Sequence, residues 1–152
     1  MPALTAMFAE PDVVAWWGAE TAETVSEHLR AHPSWVIVVA GEVVGWLHFH
    51  EERTPQYPSV AFDIALDARG RGHGYGREAL RLAIAHFASR GHHRFTIDPA
   101  AENERAIRAY RDVGFRPVGV LRAYERAPDG SWRDGLLMDL LAADLNGPGS
   151  PR

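Results

Sequence analysis

Arg71-Gly72-His73-Gly74-Tyr75-Gly76 is the stretch from which the fold of this chain is most readily inferred. Glycines lack a Cβ atom, so the backbone can curl there and approach a ligand closely. Several N–H groups can then converge on one anion, and the positive end of a helix beginning at Arg77 strengthens the attraction. We therefore expect the segment to bind a pyrophosphate, with the guanidinium groups of Arg71 and Arg77 as further donors.

Two common phosphate-binding loops do not fit this glycine spacing. The P-loop ends in Gly-Lys-Ser/Thr, and the chain contains no lysine. The dinucleotide-binding fingerprint separates its glycines first by two and then by three residues, whereas glycines 70, 72, 74 and 76 are all two apart. A strand-to-helix turn that binds no ligand is the alternative interpretation.

The segments on both sides of the glycines predict an α+β fold. Short β-branched or alternating apolar runs predict strands, and apolar residues at helical spacing predict helices. The predicted strands are 35–40, 43–50, 60–66, 94–98, 115–125 and 132–141. The predicted helices are 7–18, a segment with a capping box at Thr24 that ends near Pro33, 77–90 and 103–113.

Length and composition limit the remaining possibilities. The chain has 152 residues, and we expect one domain over 1–145 and a flexible Gly/Pro/Ser-rich tail over 146–152. The absence of cysteine excludes disulfides and thiolate nucleophiles. No signal peptide or membrane-spanning run of about 20 apolar residues is recognised, so a cytoplasmic monomer or homodimer is expected. The net charge of −4 argues against a nucleic-acid partner.

Arg71-x-x-Gly74-x-Gly76 resembles the Arg/Gln-x-x-Gly-x-Gly/Ala signature of the GNAT superfamily of N-acetyltransferases. Arg69-x-x-Gly72-x-Gly74 fits as well, but the first match is preferred because it places its last glycine directly before the helix. The resemblance implies that acetyl-CoA is the acyl donor. It also implies that backbone N–H groups hold the coenzyme A pyrophosphate, in the residues Arg71, Gly72, His73, Gly74, Tyr75, Gly76 and Arg77.

A second match lies downstream, where Asn103-x-x-Ala106-x-x-x-Tyr110 precedes Gly114-Phe115. It resembles the Asn-x-x-Ala-x-x-x-Tyr segment of the same superfamily. The resemblance implies that Asn103 and Ala106 lie along the pantetheine arm and that the Tyr110 hydroxyl reaches the thioester sulfur. It also implies the GNAT fold, a mixed and mostly antiparallel sheet flanked by helices, whose splayed strands bind acetyl-CoA. A tyrosine that only packs in the core is the alternative for Tyr110.

A narrower resemblance, to aminoglycoside 6′-N-acetyltransferases, rests on the segments 12–18 and 98–110 and on Asp63. It implies a small polycationic acceptor and a role in antibiotic resistance. The hairpin 122–141 is instead similar to that of protein N-terminal amine acetyltransferases. Three hypotheses stay open: a small-molecule acetyltransferase, a protein N-terminal acetyltransferase, and a coenzyme A-binding module without catalysis.

Two carboxylates lie among apolar strand residues, Asp63 within one strand and Asp98 at the end of another. Burial of a charged carboxylate costs several kcal/mol unless it is paired. A cationic substrate can supply that partner, and an internal arginine is the alternative. Trp16, Trp17, Trp46 and His48 are predicted to line the acceptor site. No metal site is predicted, since His48-x-His50 alone is a weak pattern.

The mechanism implied is direct attack of the amine on the thioester, without a covalent enzyme intermediate. Asp63 or Asp98 would take the proton that the ammonium must lose. Backbone N–H groups of Ile64, Ala65 and Leu66 would meet the oxyanion. Tyr110 would donate a proton to the departing thiolate.

Overall fold

The computed structural model describes residues 1–145, and its helices and strands follow the predicted order except near the N-terminus. The α-helices are α1 (Pro2–Phe8), α2 (Pro11–Trp17), α3 (Ala22–Ala31), α4 (Tyr75–Ala88) and α5 (Glu104–Val113). The strands are β1 (Ser34–Val39), β2 (Glu42–Glu52), β3 (Ser59–Leu66), β4 (Arg94–Ile97), β5 (Arg116–Arg126) and β6 (Trp132–Leu141), followed by a 3-10 turn, Ala142–Leu145. The predicted tail 146–152 lies outside the described residues.

All six strands form one sheet in the order β1-β2-β3-β4-β6-β5. Only β3 and β4 run parallel, and the other neighbours are antiparallel, which confirms the mixed, mostly antiparallel sheet. In the described chain, β3 and β4 are paired at only three positions, Ser59 with Arg94, Val60 with Phe95 and Ala61 with Thr96. The strands then diverge, so the edge of β3 from Phe62 onward faces a gap.

The two faces of the sheet carry separate apolar cores, because successive side chains of a strand point to opposite faces. On one face, Leu80, Ile84 and Phe87 of α4 pack against Phe62 and Phe95, and all five side chains are about 1% exposed or less. This face of α4 was predicted from its helical spacing. Full burial of each such side chain contributes about 1.5–3 kcal/mol. The opposite face of the sheet is covered by α1, α2 and α3.

The N-terminal region differs from the sequence prediction. Residues 7–18 were expected to form one helix, but α1 ends at Phe8 and α2 begins at Pro11. Proline lacks the N–H group for a helical hydrogen bond and is favoured at the first position of a new helix. The next helix also begins earlier than predicted, because Thr21 is its N-cap and forms a capping box with Thr24.

The glycine segment leads into α4 slightly earlier than expected. Gly74 is the N-cap, with φ of 82°, and the helix begins at Tyr75. Gly76 is therefore the second residue of the helix and not the residue before it. The match Arg71-x-x-Gly74-x-Gly76 was preferred because its last glycine was expected directly before the helix, and that reason was wrong. The left-handed backbone at Gly74, and at Gly72 with φ of 79°, is a conformation that other residues adopt only with strain.

Gly70 is expected to be needed for packing, because a Cβ atom there would lie 2.9 Å from the carbonyl oxygen of Val44. Substitution of Gly70 by Ala should therefore lower the free energy of unfolding by about 1–3 kcal/mol, the usual cost of overpacking. The control is Gly119→Ala, since a Cβ there meets nothing within 4 Å. Equal urea midpoints for the two variants would contradict this account.

Candidate active site

A cavity of about 1350 Å³ opens where β3 and β4 diverge. Its walls come from α2, the end of β3, the glycine segment, α5 and the β5–β6 hairpin. It brings together most of the site residues predicted from the sequence. These are Trp16, Trp17, Asp63, Ile64, Ala65, Leu66, Arg71, Gly72, Gly74, Gly76, Arg77, Asp98, Asn103, Ala106 and Tyr110.

One end of the cavity is lined by backbone N–H groups of the glycine segment. In the described part of the chain, the amides of Gly72, His73 and Gly74 donate no hydrogen bond. The first amides of α4 also have no partner within the helix. The side chains of His73 and Tyr75 stack on each other, with ring centroids 5.4 Å apart, and do not line the cavity. Their part in binding an anion would therefore come from the backbone, where a pyrophosphate fits.

The two arginines expected to bind that anion are held by carboxylates in this structure. A guanidinium nitrogen of Arg71 lies 2.9 Å from a carboxylate oxygen of Glu10. The guanidinium of Arg77 lies 2.9 Å from a carboxylate oxygen of Asp112. Arg71 thus ties the glycine segment to the residue before α2, and Arg77 ties α4 to α5, while both side chains still line the cavity. Their binding of the anion stays a prediction.

Arg105 and Arg108, which were not predicted from the sequence, line the same cavity. Neither forms an ion pair with a carboxylate among residues 1–145. Their charges are therefore available to the phosphates of a ligand.

Helix α5 presents the second motif to the cavity. Asn103 is its N-cap, and the side-chain Oδ1 accepts a hydrogen bond of 3.2 Å from the N–H of Ala106. The Asn103 amide NH2 group remains as a donor on the cavity side. Tyr110 follows on the same face and packs edge-on against Phe115. Burial, followed by the charges of Asp63 and Asp98, raises the pKa of Tyr110 well above its usual value, so its hydroxyl stays protonated and can donate.

Asp63 lies at the other end of the cavity, on the part of β3 that has left β4. Burial raises its pKa from 3.8 to about 6, and the nearby charges of Asp98 and Glu125 add to the shift. Among residues 1–145, its carboxylate has neither a hydrogen bond nor an ion-pair partner. The internal arginine considered as its alternative partner is therefore not found, and the group is placed to accept a proton.

Asp98 is paired with a residue that the sequence analysis missed. The Tyr124 hydroxyl donates a hydrogen bond of 2.6 Å to Asp98 Oδ2. Burial is the main cause of the raised pKa of Asp98, and the bond to Asp98 is the main cause that raises the pKa of Tyr124 to about 12. A bulge in β5 at Ala123, with φ of 47°, directs Tyr124 towards Asp98. No local sequence pattern marks this contact, which spans 26 positions in the chain.

The four predicted acceptor-site aromatics are divided between two cavities. Trp16 and Trp17 line the large cavity, and the guanidinium of Arg133 lies 5.3 Å from the Trp16 ring. Trp46 and His48 do not line it, which corrects their expected place. They line a neighbouring cavity of about 180 Å³, which Trp17 and Asp63 also border. The Trp46 ring is 5% exposed and packs edge-on against Phe8 and Trp17.

Comparison with known proteins supports the identity that this geometry suggests. Residues 3–115 match the family model described as "Acetyltransferase (GNAT) family". The chain belongs to the GNAT acetyltransferase family. The fold predicted from the resemblance is therefore confirmed, and the loop amides and cavity fit the acetyl-CoA that the family uses.

Individual relatives of this GNAT chain differ in their named acceptors. N-alpha-acetyltransferase RimI of Mycobacterium tuberculosis is 35% identical over 74 residues, which cover 49% of this chain and 45% of that protein. A ribosomal-protein-alanine N-acetyltransferase from Brucella melitensis superposes with a TM-score of 0.73 at 24% identity, covering 92% and 93% of the two chains. Spermidine N-acetyltransferase from Vibrio cholerae, solved with CoA and spermine, superposes with a TM-score of 0.76 at 19% identity. The superposition covers 92% of this chain and 88% of that chain.

The chain spans about half the length of the curated relatives it matches. The two structural likenesses, both below 25% identity, show the fold alone. The similarity to aminoglycoside 6′-N-acetyltransferases inferred from the sequence is not found among these matches. Over residues 1–145, no group of three or more His, Asp or Glu side chains forms a metal site, and no helix is long and apolar enough to cross a bilayer.

The raised pKa of Asp63 predicts a pH-dependent stability of the free protein. Because the folded state keeps a proton that the unfolded chain releases, the free energy of unfolding should fall as pH rises from about 4 to about 6 and stay low above that. A pKa raised from 3.8 to about 6 corresponds to at most roughly 3 kcal/mol. Asp63→Asn should thus be more stable than the wild type at pH 8, measured by urea unfolding.

The control variant is Glu27→Gln, which removes one exposed carboxylate from α3. It should leave the free energy of unfolding within about 0.5 kcal/mol of the wild type at both pH 5 and pH 8. If Asp63→Asn is instead less stable than the wild type at pH 8, the carboxylate makes a favourable contact that contradicts this electrostatic account.

Proposed function

We propose that the chain transfers the acetyl group of acetyl-CoA to a primary amine of a small polycationic acceptor, an aminoglycoside or a similar molecule. The observation that carries the proposal is the buried Asp63 carboxylate, which has no cationic partner within residues 1–145 and borders the same cavity as Tyr110. A substrate ammonium would supply the missing charge. The glycine amides at the opposite end would hold the pyrophosphate of the donor.

The charge distribution of the cavity favours an acceptor with more than one cationic group. Asp63, Asp98 and Glu125 all border its acceptor end. Within residues 1–145, Glu125 alone among them has an arginine partner, Arg133, at 2.7 Å. Asp63 and Asp98 therefore face the cavity without an arginine among residues 1–145 to neutralise them. Burial of two negative charges close together is unfavourable until cations bind. A polyamine or an amino sugar offers several ammonium groups at such spacing.

In the proposed reaction, the chain's groups act at three positions. Asp63 takes a proton from the bound ammonium, since an alkylammonium with pKa near 10 is not a nucleophile. N–H groups on the free edge of β3, among Ile64, Ala65 and Leu66, donate to the oxyanion that develops at the carbonyl. Tyr110 donates its proton to the departing sulfur. Acetyl-CoA, when bound, supplies the activated acyl group.

A protein N-terminal amine is the second candidate acceptor. It is favoured by the names of the similar proteins, which include N-alpha-acetyltransferase RimI. It is also favoured by the long β5–β6 hairpin, whose Tyr124 and Glu125 border the cavity. A peptide carries a single α-ammonium, so it would leave one of the two arginine-free carboxylates without a cationic partner. We therefore rank it below a polycation.

An acceptor panel tests the proposal. Thiol release from acetyl-CoA would be followed with kanamycin, with spermidine and with a hexapeptide that begins with alanine. We expect the highest kcat/KM with one of the two polycations, and a decrease of at least 100-fold in Asp63→Asn, because the variant loses both the charge and the base. Preference for the peptide would select the second candidate. No thiol release with any of the three, together with acetyl-CoA binding in calorimetry, would favour a non-catalytic binding module.

Tyr110→Phe tests the assignment of the proton donor. A thiol of pKa about 8.5 is only a mildly basic leaving group, so the variant should lose about 10- to 100-fold in kcat and should retain its acetyl-CoA affinity. Tyr75→Phe is the matched control, because its ring is stacked on His73 and does not line the cavity. Wild-type kcat in Tyr110→Phe would remove the residue from the mechanism.

A further inference from the structure

His48 is the side chain nearest to Asp63 along the adjacent strand. In the antiparallel register of β2 and β3, His48 lies directly opposite Asp63, so the two side chains are neighbours on one face of the sheet. Both border the small cavity of about 180 Å³. Asp63 borders the large cavity as well. Its carboxylate therefore stands between the acceptor end of the active site and a second, separate space.

The contacts of His48 determine which ring nitrogen can take up a proton. Its Nδ1 lies 3.0 Å from the carbonyl oxygen of Pro33. Since a carbonyl only accepts, Nδ1 carries the hydrogen, and in the neutral ring Nε2 holds the free lone pair. Burial, which outweighs the hydrogen bond to Pro33, lowers the pKa of His48. The lowered pKa keeps the ring neutral in the free protein, with the Nε2 lone pair unprotonated.

Further histidines continue from His48 to the surface. The ring centroids of His48 and His32 are 5.1 Å apart, and those of His32 and His28 are 5.7 Å apart. The side chain of His28 is 54% exposed and lies 4.0 Å from a carboxylate oxygen of Glu20. All three histidines border the small cavity. A series of groups that can bind protons therefore connects a buried carboxylate to solvent.

The small cavity is suited to hold the water that such a series requires. Within residues 1–145, no hydrogen bond joins His48 to Asp63 or one histidine ring to the next, so a proton must cross these gaps through water. Donors and acceptors line the space, and its volume of about 180 Å³ is more than a few water molecules need. The indole Nε1 of Trp46, which borders it, is buried and has no hydrogen-bond partner within residues 1–145. Such a group favours a water partner.

Each turnover releases one proton that must leave the site. An ammonium and a thioester react to give an amide, a thiol and one proton: the N–C bond forms, the C–S bond breaks, and the nitrogen loses two protons, of which the sulfur keeps one. Substrates bound in the large cavity would stand between Asp63 and solvent on that side. The small cavity is the other space that Asp63 borders.

We propose that His48 receives the amine's proton from Asp63 and passes it through the small cavity to His32, His28 and solvent. The inference rests on the proposed function, because it requires Asp63 as the base. His48 acts through Asp63 and does not touch the acceptor. The groups that face it are His28 and His32 near the end of α3, Glu20 before α3, His50 on its own strand and Asp63 on β3.

The test compares His48→Gln with wild type in turnover of whichever panel acceptor is active. Glutamine can still donate to the Pro33 carbonyl, but it cannot carry a proton. At saturating substrates in 1 mM buffer, kcat of His48→Gln should be about 10-fold or more below wild type, with KM unchanged. Addition of 50 mM imidazole should restore most of the loss in the variant and leave wild type unchanged, since a small base in the cavity replaces the relay.

His50→Gln is the matched control, because it lies on the same strand face but opposite Ala61. It should show wild-type kcat in both buffers. If His48→Gln does not fold, His32→Gln, at an exposed position, should show the same imidazole-dependent loss in smaller degree. The relay would be overturned if the folded His48→Gln variant, or His32→Gln in its place, had the wild-type kcat in 1 mM buffer. It would also be overturned if kcat fell and imidazole did not restore it. If Asp63→Asn retains activity, the proposed base fails instead.

Discussion

The limited pairing of β3 with β4 is the constraint on which the rest of the structure depends. After three paired positions the two strands separate, while each stays paired on its other side, β3 with β2 and β4 with β6. The separation leaves backbone N–H groups of β3 without a strand partner, and it opens the cavity in which Asp63 and Tyr110 lie. A continuous sheet would have satisfied those N–H groups and closed the site.

The sequence was sufficient for those parts of the site that depend on local pattern. The spacing of the glycines, the helical register of Asn103, Ala106 and Tyr110, and a charge within an apolar strand are all visible in short segments. The strand order could be expected only through the family resemblance. The prediction of a single helix over 7–18 was wrong, although Pro11 is a residue type that commonly begins a new helix.

Other features could not be read from the sequence because they join distant segments. The hydrogen bond from Tyr124 to Asp98 depends on a bulge at Ala123, a non-glycine residue whose φ of 47° no propensity predicts. The pairing of Arg71 with Glu10 joins residues 61 positions apart, and no local sequence pattern announces it. The strand alternation places Trp46 and His48 on the same face of the sheet as Asp63, as predicted. Trp17 packs over Trp46 on that face and separates the two side chains from the large cavity. In each case packing between helices and strands decides the outcome.

The cavity also assigns the two substrates to opposite ends by charge. The amide dipoles of the glycine segment favour an anion, and Asp63 and Asp98 favour a cation. Arg105 and Arg108 add positive charge to the lining of the same cavity. The net charge of −4 does not reveal this separation of charge within the cavity, because it adds up the charges of the whole chain. An acyl donor with phosphates and an acceptor with ammonium groups would each be repelled from the wrong end. In the proposed reaction, the reacting atoms would meet between them, near Tyr110, where burial excludes water and strengthens each remaining electrostatic interaction.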